Sequence, residues 1–305
     1  MRKDNMPSHH GVKVKLDRQY PNRTMQLLLE RASCRDFAEK EIPDDILRLV
    51  LETGIHAPSG GNLQPFSIIK IKEPAIRAKL AEMCDQNFIG KAPVNLLFCI
   101  DWHRLERWAK LEIAPYSGSS AFIHFWISFQ DTIIAAQNIC TAADAMDLGS
   151  VYIGTVADFL RELRDMFDLP DSVLPVVLLC LGYPKEKPQV RRKLALEVIV
   201  HDEKYHDFED PKLIDAYNDK YPEVKIAISE ERLDQIRQTC LKVHGQEFAD
   251  RCLAQIKKQG YINMVQRYFG LHYRADEMPA INEYFLEVME EYGFNWFKKW
   301  EPVKE

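Results

Sequence analysis

The chain has 305 residues, 46% of them hydrophobic and 28% charged, with a formal net charge of -6 at pH 7. That length suits one large globular domain or a domain with an appendage, and the negative balance argues against a general nucleic-acid binder. The seven cysteines are scattered and include no Cys-x-x-Cys pair, which argues against a disulfide framework and against a zinc or iron-sulfur site.

Residues 1–22 read as a polar N-terminal arm. His9-His10 lies there without a third ligand at a useful spacing, so no metal is expected. The start lacks the apolar core of a signal peptide, and the longest apolar runs, Pro93 to Ile100 and Pro175 to Leu181, fall short of a membrane span of about 20 residues. A soluble, cytoplasmic protein with no membrane partner is the expectation.

From Thr24 the pattern is helical, with Met25, Leu27, Leu28 and Leu29 leading into Arg31-Ala32-Ser33-Cys34-Arg35. Two arginines flanking a serine suit a doubly charged phosphate, because each guanidinium presents a fork of donors and the hydroxyl adds a short one. A second helix follows Pro43-Asp44, carries Ile46, Leu47, Val50 and Leu51 on one side, and stops at Gly54. Next comes Ala57-Pro58-Ser59-Gly60-Gly61-Asn62-Leu63-Gln64-Pro65-Phe66. Its proline and glycines permit tight turns and close backbone approach, while Asn62 and Gln64 carry amide donors and acceptors suited to the edge of a flavin ring.

Phe66 to Lys72 and Val94 to Asp101 read as strands separated by a helix from Glu73-Pro74 to about Cys84. Asp101 to Phe129 gathers Trp102, His103, Trp108, Tyr116, His124, Phe125 and Trp126 around Ser117-Gly118-Ser119-Ser120, a composition suited to a lid over a planar substrate. Asp131 to Met146 is apolar on most sides, with Gln137, Thr141 and Asp144 on a narrow polar stripe, and so reads as a buried helix. Strands are expected at about Ser150 to Gly154 and Val176 to Gly182, enclosing a helix from Ala157 to Phe167. No Gly-x-Gly-x-x-Gly follows any strand, so a nicotinamide cofactor, if used, docks transiently. Residues 203–305 hold half of the aromatic residues and must fold; helix signals recur at Ser229 to Val243, Gln246 to Lys258 and from Pro279 to about Tyr292, with Gly245, Gly260, Gly270 and Gly293 as stops.

Taken in order, Arg31-x-Ser33-x-Arg35, the Ala57 to Phe66 loop, Gly149 to Gly154, Leu181 to Pro184 and Arg191-Arg192-Lys193 resemble the nitroreductase family over residues 25–202. The resemblance implies an α+β class: a three-layer αβα fold with a central mixed sheet at residues 23–202, a domain-swapped homodimer, and a helical C-terminal extension at 203–305. It places the arginine-serine element on the first helix and makes Asp131 to Met146 the core helix near the dimer axis. It also implies FMN as cofactor. Arg31, Ala32, Ser33 and Arg35, with Arg191 or Arg192, would hold its phosphate and ribityl chain. Pro58, Ser59, Gly60, Asn62 and Gln64 would line it from across the dimer interface, and Ile153 with Gly154 would sit near N5 of the ring. No side chain is assigned as catalytic, because the flavin carries the chemistry. The implied activity is NAD(P)H-dependent reduction of nitroaromatic, quinone-like or other electron-poor small molecules. Dehalogenation, enone reduction, azoline oxidation and flavin-based redox sensing are the alternatives that the same fold admits.

Overall fold

In the computed structural model, which describes residues 19–222 and 224–302, the chain forms two compact units. The first comprises residues 19–188 and 285–302 and contains α1 (Arg23–Glu30), α2 (Asp44–Ile55), β1 (Phe66–Ile71), α3 (Pro74–Met83), α4 (Phe88–Lys91), β2 (Val94–Asp101), α5 (His103–Leu111), α6 (Phe122–Ala145), β3 (Gly149–Ile153), α7 (Leu160–Met166) and β4 (Val173–Gly182). Every residue of β2 is buried and β4 is buried at all but one position, as expected of central strands covered on both faces.

The sheet order is β1-β2-β4-β3, and all three pairs are antiparallel. The α+β class stands, but the mixed sheet that the resemblance implied is antiparallel throughout the described residues. The reason lies in one insertion. β2 and β3 run the same way and are joined by the long helix α6, as in a parallel crossover, yet β4 enters between them in the opposite direction.

One face of the sheet packs on α2 and α6, where Leu47, Val50, Leu96, Phe98, Ile139 and Leu179 share a core. The alternate residues of β2 face the other layer, where Asn95 donates its amide to the carbonyl of Ile89 in α4 at 3.0 Å. Helix α7 and the preceding 3₁₀ turn, Thr155–Phe159, also lie against β4.

Helix α6 starts at Phe122, nine residues before Asp131, where the sequence pattern becomes apolar. The reason is tertiary. Phe122 and Phe125 pack on Trp296 at ring separations of 5.0 and 5.1 Å, and Phe294 lies 5.1 Å from Trp102 and 5.9 Å from Phe125. Aromatic residues from the far end of the sequence therefore complete this helix. Tyr292 fastens the same segment, its hydroxyl donating to the Leu160 carbonyl at 2.6 Å and its carbonyl accepting from the Ser172 amide at 2.7 Å.

The second unit, residues 189–284, contains α8 (Leu196–Ile199), α9 (Asp210–Lys220), α10 (Glu230–His244), α11 (Gln246–Gln259) and α12 (Met264–Arg267), and ends within α13 (Asn282–Glu291). Its core joins Leu233, Ile236, Ala249, Ile256, Ile262 and Leu271. The helices of the extension stand close to the expected bounds, and α9 is one that the sequence reading passed over. Gly270, expected as a helix stop, instead lies inside a π-helical turn, Tyr268–His272. A Cβ there would meet Ile236 Cγ1 at 2.8 Å, so the position serves close packing rather than termination.

Candidate active site

The arginine-serine element leaves the helix instead of lying on it. Arg31 is the C-cap of α1, with φ -58° and ψ 134°, and residues 31–35 run outside regular structure past the start of β3, where the Cys34 amide donates to the Ser150 carbonyl at 2.9 Å. The Arg31 guanidinium turns inward. Its Nε donates to Cys140 Sγ at 3.0 Å and an Nη donates to Ser150 Oγ at 3.1 Å, while Asp144 Oδ2 lies 3.3 Å from Nε. Ala32 and Arg35 are half-buried and Ser33 is exposed beside them.

This polar nest sits at the C-terminal end of α6, where the helix dipole favours a cation. Burial pushes the Asp144 carboxyl up to about 6, with Arg31 pulling it down, and burial likewise raises the thiols of Cys140 and Cys34 and the Tyr152 phenol. Near neighbours in sequence such as Asp36 and Glu39 do not supply the carboxylate at Arg31 Nε. Its acidic neighbour is instead Asp144, which residue spacing could not have named across 113 positions of sequence.

The second element, Pro58 to Phe66, gathers at the other end of α6. The Gly60 amide donates to Asp131 Oδ2 at 3.0 Å, the Gln64 amide donates to Ser59 Oγ at 3.2 Å, and Gln64 Nε2 donates to the Ile55 carbonyl at 2.9 Å. Gly61, Asn62 and Gln64 all have left-handed backbone, at φ 59°, 56° and 50°, a conformation that Gly and Asn accept most readily. Pro58 and Asn62 are exposed, whereas the Gln64 amide, read from sequence as suited to a ring edge, donates instead to the last residue of α2. Arg104 holds the end of the loop by donating to the carbonyls of Gln64 and Phe66 at 2.6 and 3.0 Å.

Beside this loop opens a cleft of about 590 Å³, walled by Leu63, Leu105, Trp108, Tyr116 and Ile127, with Asp131 at its edge. Burial raises the Asp131 carboxyl and pushes the Tyr116 phenol up to about 12. Much of the segment from 101 to 129, expected as a lid, is helical. Trp102 is anchored by donating its indole N–H to Ser128 Oγ at 2.8 Å, but Trp108 stands 57% exposed and free to stack on a planar molecule.

Ile153 is buried at the end of β3, and Gly154, directly after it, is exposed with open space where a Cβ would stand. Its backbone has ordinary negative φ, so neither packing within the chain nor conformation demands glycine there. Arg191 and Arg192 belong to the second unit. There Arg192 donates to the Asp219 carbonyl and, with Lys193, borders a shallow hollow of about 300 Å³.

The sequence profile of the Nitroreductase family matches residues 28–183. The chain belongs to the nitroreductase family. It is 29% identical over 244 residues to an oxygen-insensitive NADPH nitroreductase of Salmonella typhimurium, covering 78% of this chain and 98% of that protein. It is 30% identical over 187 residues to an NADPH-flavin oxidoreductase of Vibrio harveyi, covering 61% and 76%. Among solved structures, an NADPH:FMN oxidoreductase from Vibrio harveyi complexed with NAD⁺ superposes with a TM-score of 0.59 at 26% identity, over 78% of this chain and 98% of that one. Family membership makes the chain an oxidoreductase enzyme, and the matched range includes both motif loops. Asp144, Cys140, Ser150, Asp131 and Arg104, which brace those loops, carry no local motif. The trace they leave in the sequence is two carboxylates, Asp131 and Asp144, in a largely apolar helix.

Proposed function

We propose that the protein is a homodimeric, FMN-dependent NAD(P)H oxidoreductase that reduces planar, electron-poor acceptors such as nitroaromatics or quinones. One observation supports the assembly above others: the two motif elements stand far apart along α6 of a single chain. Asp131 and Asp144, which mark them on α6, are thirteen residues apart, or about 20 Å at 1.5 Å per residue. The sheet measures the same gap independently. The element at Arg31 adjoins Ser150, which pairs with Leu181, whereas the loop runs into Phe66, which registers through Ile100 with Leu174; seven residues of β4 span roughly 23 Å.

With two intervening strands adding lateral distance, one FMN cannot reach both elements of one chain, but a two-fold axis brings one chain's loop to its partner's arginines. The exposed apolar stripe on α6, Ile123, Ile127 and Ile134, together with Met25, Leu28 and Leu29 on α1, offers the surface for such a contact.

The residues fit the cofactor. Guanidinium groups and a hydroxyl at 31–35 suit the phosphate, the left-handed turn at 58–62 brings backbone close to a flat ligand, and the space over Gly154 admits a ring edge. When bound, FMN supplies two-electron hydride chemistry. The chain's own tasks are to anchor the phosphate with Arg31, Ser33 and Arg35, to present the Pro58–Asn62 backbone, and to offer Trp108 and Tyr116 as a stacking wall. NADPH as donor, and FMN rather than another flavin, follow the names of the relatives and the compact arginine element. The seven free thiols suit a reducing compartment such as the cytoplasm.

Complementation tests the assembly. Arg35→Ala and Asn62→Gly should each weaken FMN binding, and mixed dimers of the two should regain one intact site of the two. Mixed dimers no better than either parent would place both elements in one chain's site. A purified protein with no absorbance near roughly 450 nm, and no uptake of added FMN, would remove the flavin reading itself.

A further inference from the structure

We propose that Asp144 is an internal stand-in for the cofactor phosphate at Arg31, a positioning residue that the incoming phosphate must compete with, so that it weakens FMN binding selectively over flavins lacking the phosphate. The inference rests on reading Arg31 as a phosphate anchor.

Three features of the nest lead there. The Arg31 guanidinium is already positioned by two neutral acceptors, Cys140 Sγ at 3.0 Å and Ser150 Oγ at 3.1 Å, so its placement does not require a carboxylate. Asp144 Oδ2, 3.3 Å from Nε, is buried and has no hydrogen-bond partner; the ion pair is close but misaligned. A buried carboxylate oxygen left without a hydrogen bond is costly, and a poor contact to a well-placed arginine is what an exchangeable occupant makes. Lastly, Asp144 lies in the final turn of α6, where the helix dipole favours the arginine and disfavours the carboxylate.

The groups around it define the charge balance. Arg31 approaches from the end of α1, Cys140 from α6, Tyr152 and Ser150 from β3, and Cys34, Arg35 and Asp36 from the segment after α1. The thiols and the phenol are raised by burial and stay neutral near pH 7. Arginines and carboxylates alone therefore decide how an anion is received. Asp144 titrates near 6, within reach of the pH at which a bound phosphate would drive it to take up a proton.

The test uses the full-length chain stripped of flavin and titrated with FMN and with riboflavin, which lacks the phosphate. At pH 7.5, Asp144→Asn should bind FMN roughly three- to tenfold tighter than wild type while riboflavin affinity is unchanged. Asp144→Glu, which keeps the charge, should retain the wild-type ratio. The gap between wild type and Asp144→Asn should close as the pH falls below about 6, because Asp144 is then protonated in the wild type; titration of FMN's own phosphate is common to both proteins. If the amide does not fold at this position, Asp144→Ser carries the same measurement. Equal FMN affinity in wild type and variant, or FMN and riboflavin changing together, overturns the proposal. Failure of the wild type to bind either flavin instead overturns the flavin reading on which it rests.

Discussion

The two ends of α6 hold their motif loops by different forces. At the N-terminal end, aromatic packing dominates: Phe122, Phe125, Trp102, Phe294 and Trp296 form a cluster supplied partly by the last residues of the sequence, and the loop at Gly60 is tied to it through a single carboxylate, Asp131. At the C-terminal end the contacts are polar, with Arg31, Asp144, Cys140 and Ser150 within 3.3 Å of one another or of a shared partner. Packing fixes shape without committing charge, which suits a wall for a flat ring. A partly dry ion pair keeps charge in reserve, which suits an anion.

The largest loss of stability is expected at the aromatic end. Phe294→Ala should cost about 3–5 kcal/mol, because it opens a cavity at a fully buried ring that packs on two others. Chemical denaturation reads this directly, and an unchanged midpoint would mean that the C-terminal segment only rests on α6. At the polar end, Arg35→Ala should lower FMN affinity roughly ten- to hundredfold, about 1.5–3 kcal/mol, with a smaller effect on folding. Equal affinity would remove Arg35 from the anion site.

The pH dependence of stability sharpens the comparison. Asp144 has a folded-state value raised from 3.8 to about 6, so between those values the folded protein binds more protons than the unfolded chain. Its contribution is fully present below about pH 4 and is lost as pH rises towards and through about 6, by about 3 kcal/mol. Glu30 and Glu291, held low by Lys187 and Arg161, act in the opposite sense, so the measurement is the difference between wild type and Asp144→Asn across pH 4–7. Parallel curves would show that the carboxylate is not strained by burial.

Two smaller effects complete the series. Tyr292→Phe removes the hydroxyl bonded to the Leu160 carbonyl and should cost about 1 kcal/mol in thermal unfolding. Gly154→Ala should change stability by no more than about 0.5 kcal/mol, since the new methyl enters open space, yet should reduce FMN uptake. Undiminished uptake would move the ring away from Gly154.

The strands and helices of the core were legible because their apolar periods are local: β2 spans Val94–Asp101 as read, and α2 starts at the expected proline boundary. The loop at 57–66 was legible because its turn chemistry is written in consecutive residues, whereas the 31–35 element, expected on the first helix, leaves it at Arg31. Less was visible of what holds those loops. That Arg31 meets Asp144, that Gly60 meets Asp131, and that α6 begins at Phe122 under cover of Phe294 and Trp296 all depend on pairs separated by 71 to more than 170 residues.

Strand direction belongs to the same class. The alternation of strands and helices is a property of the linear chain, but whether β2 and β3 become neighbours or admit β4 between them depends on which edge the last strand joins. The sequence by itself determined the family and the apolar elements, and it offered residues whose chemistry suits a phosphate and a flat ring. Only the tertiary structure decided that these residues stand about 20 Å apart on one chain, with a buried carboxylate beside the first arginine. Periodicity and motif spacing act over a few residues, whereas partner choice is settled by which distant surfaces exclude water together.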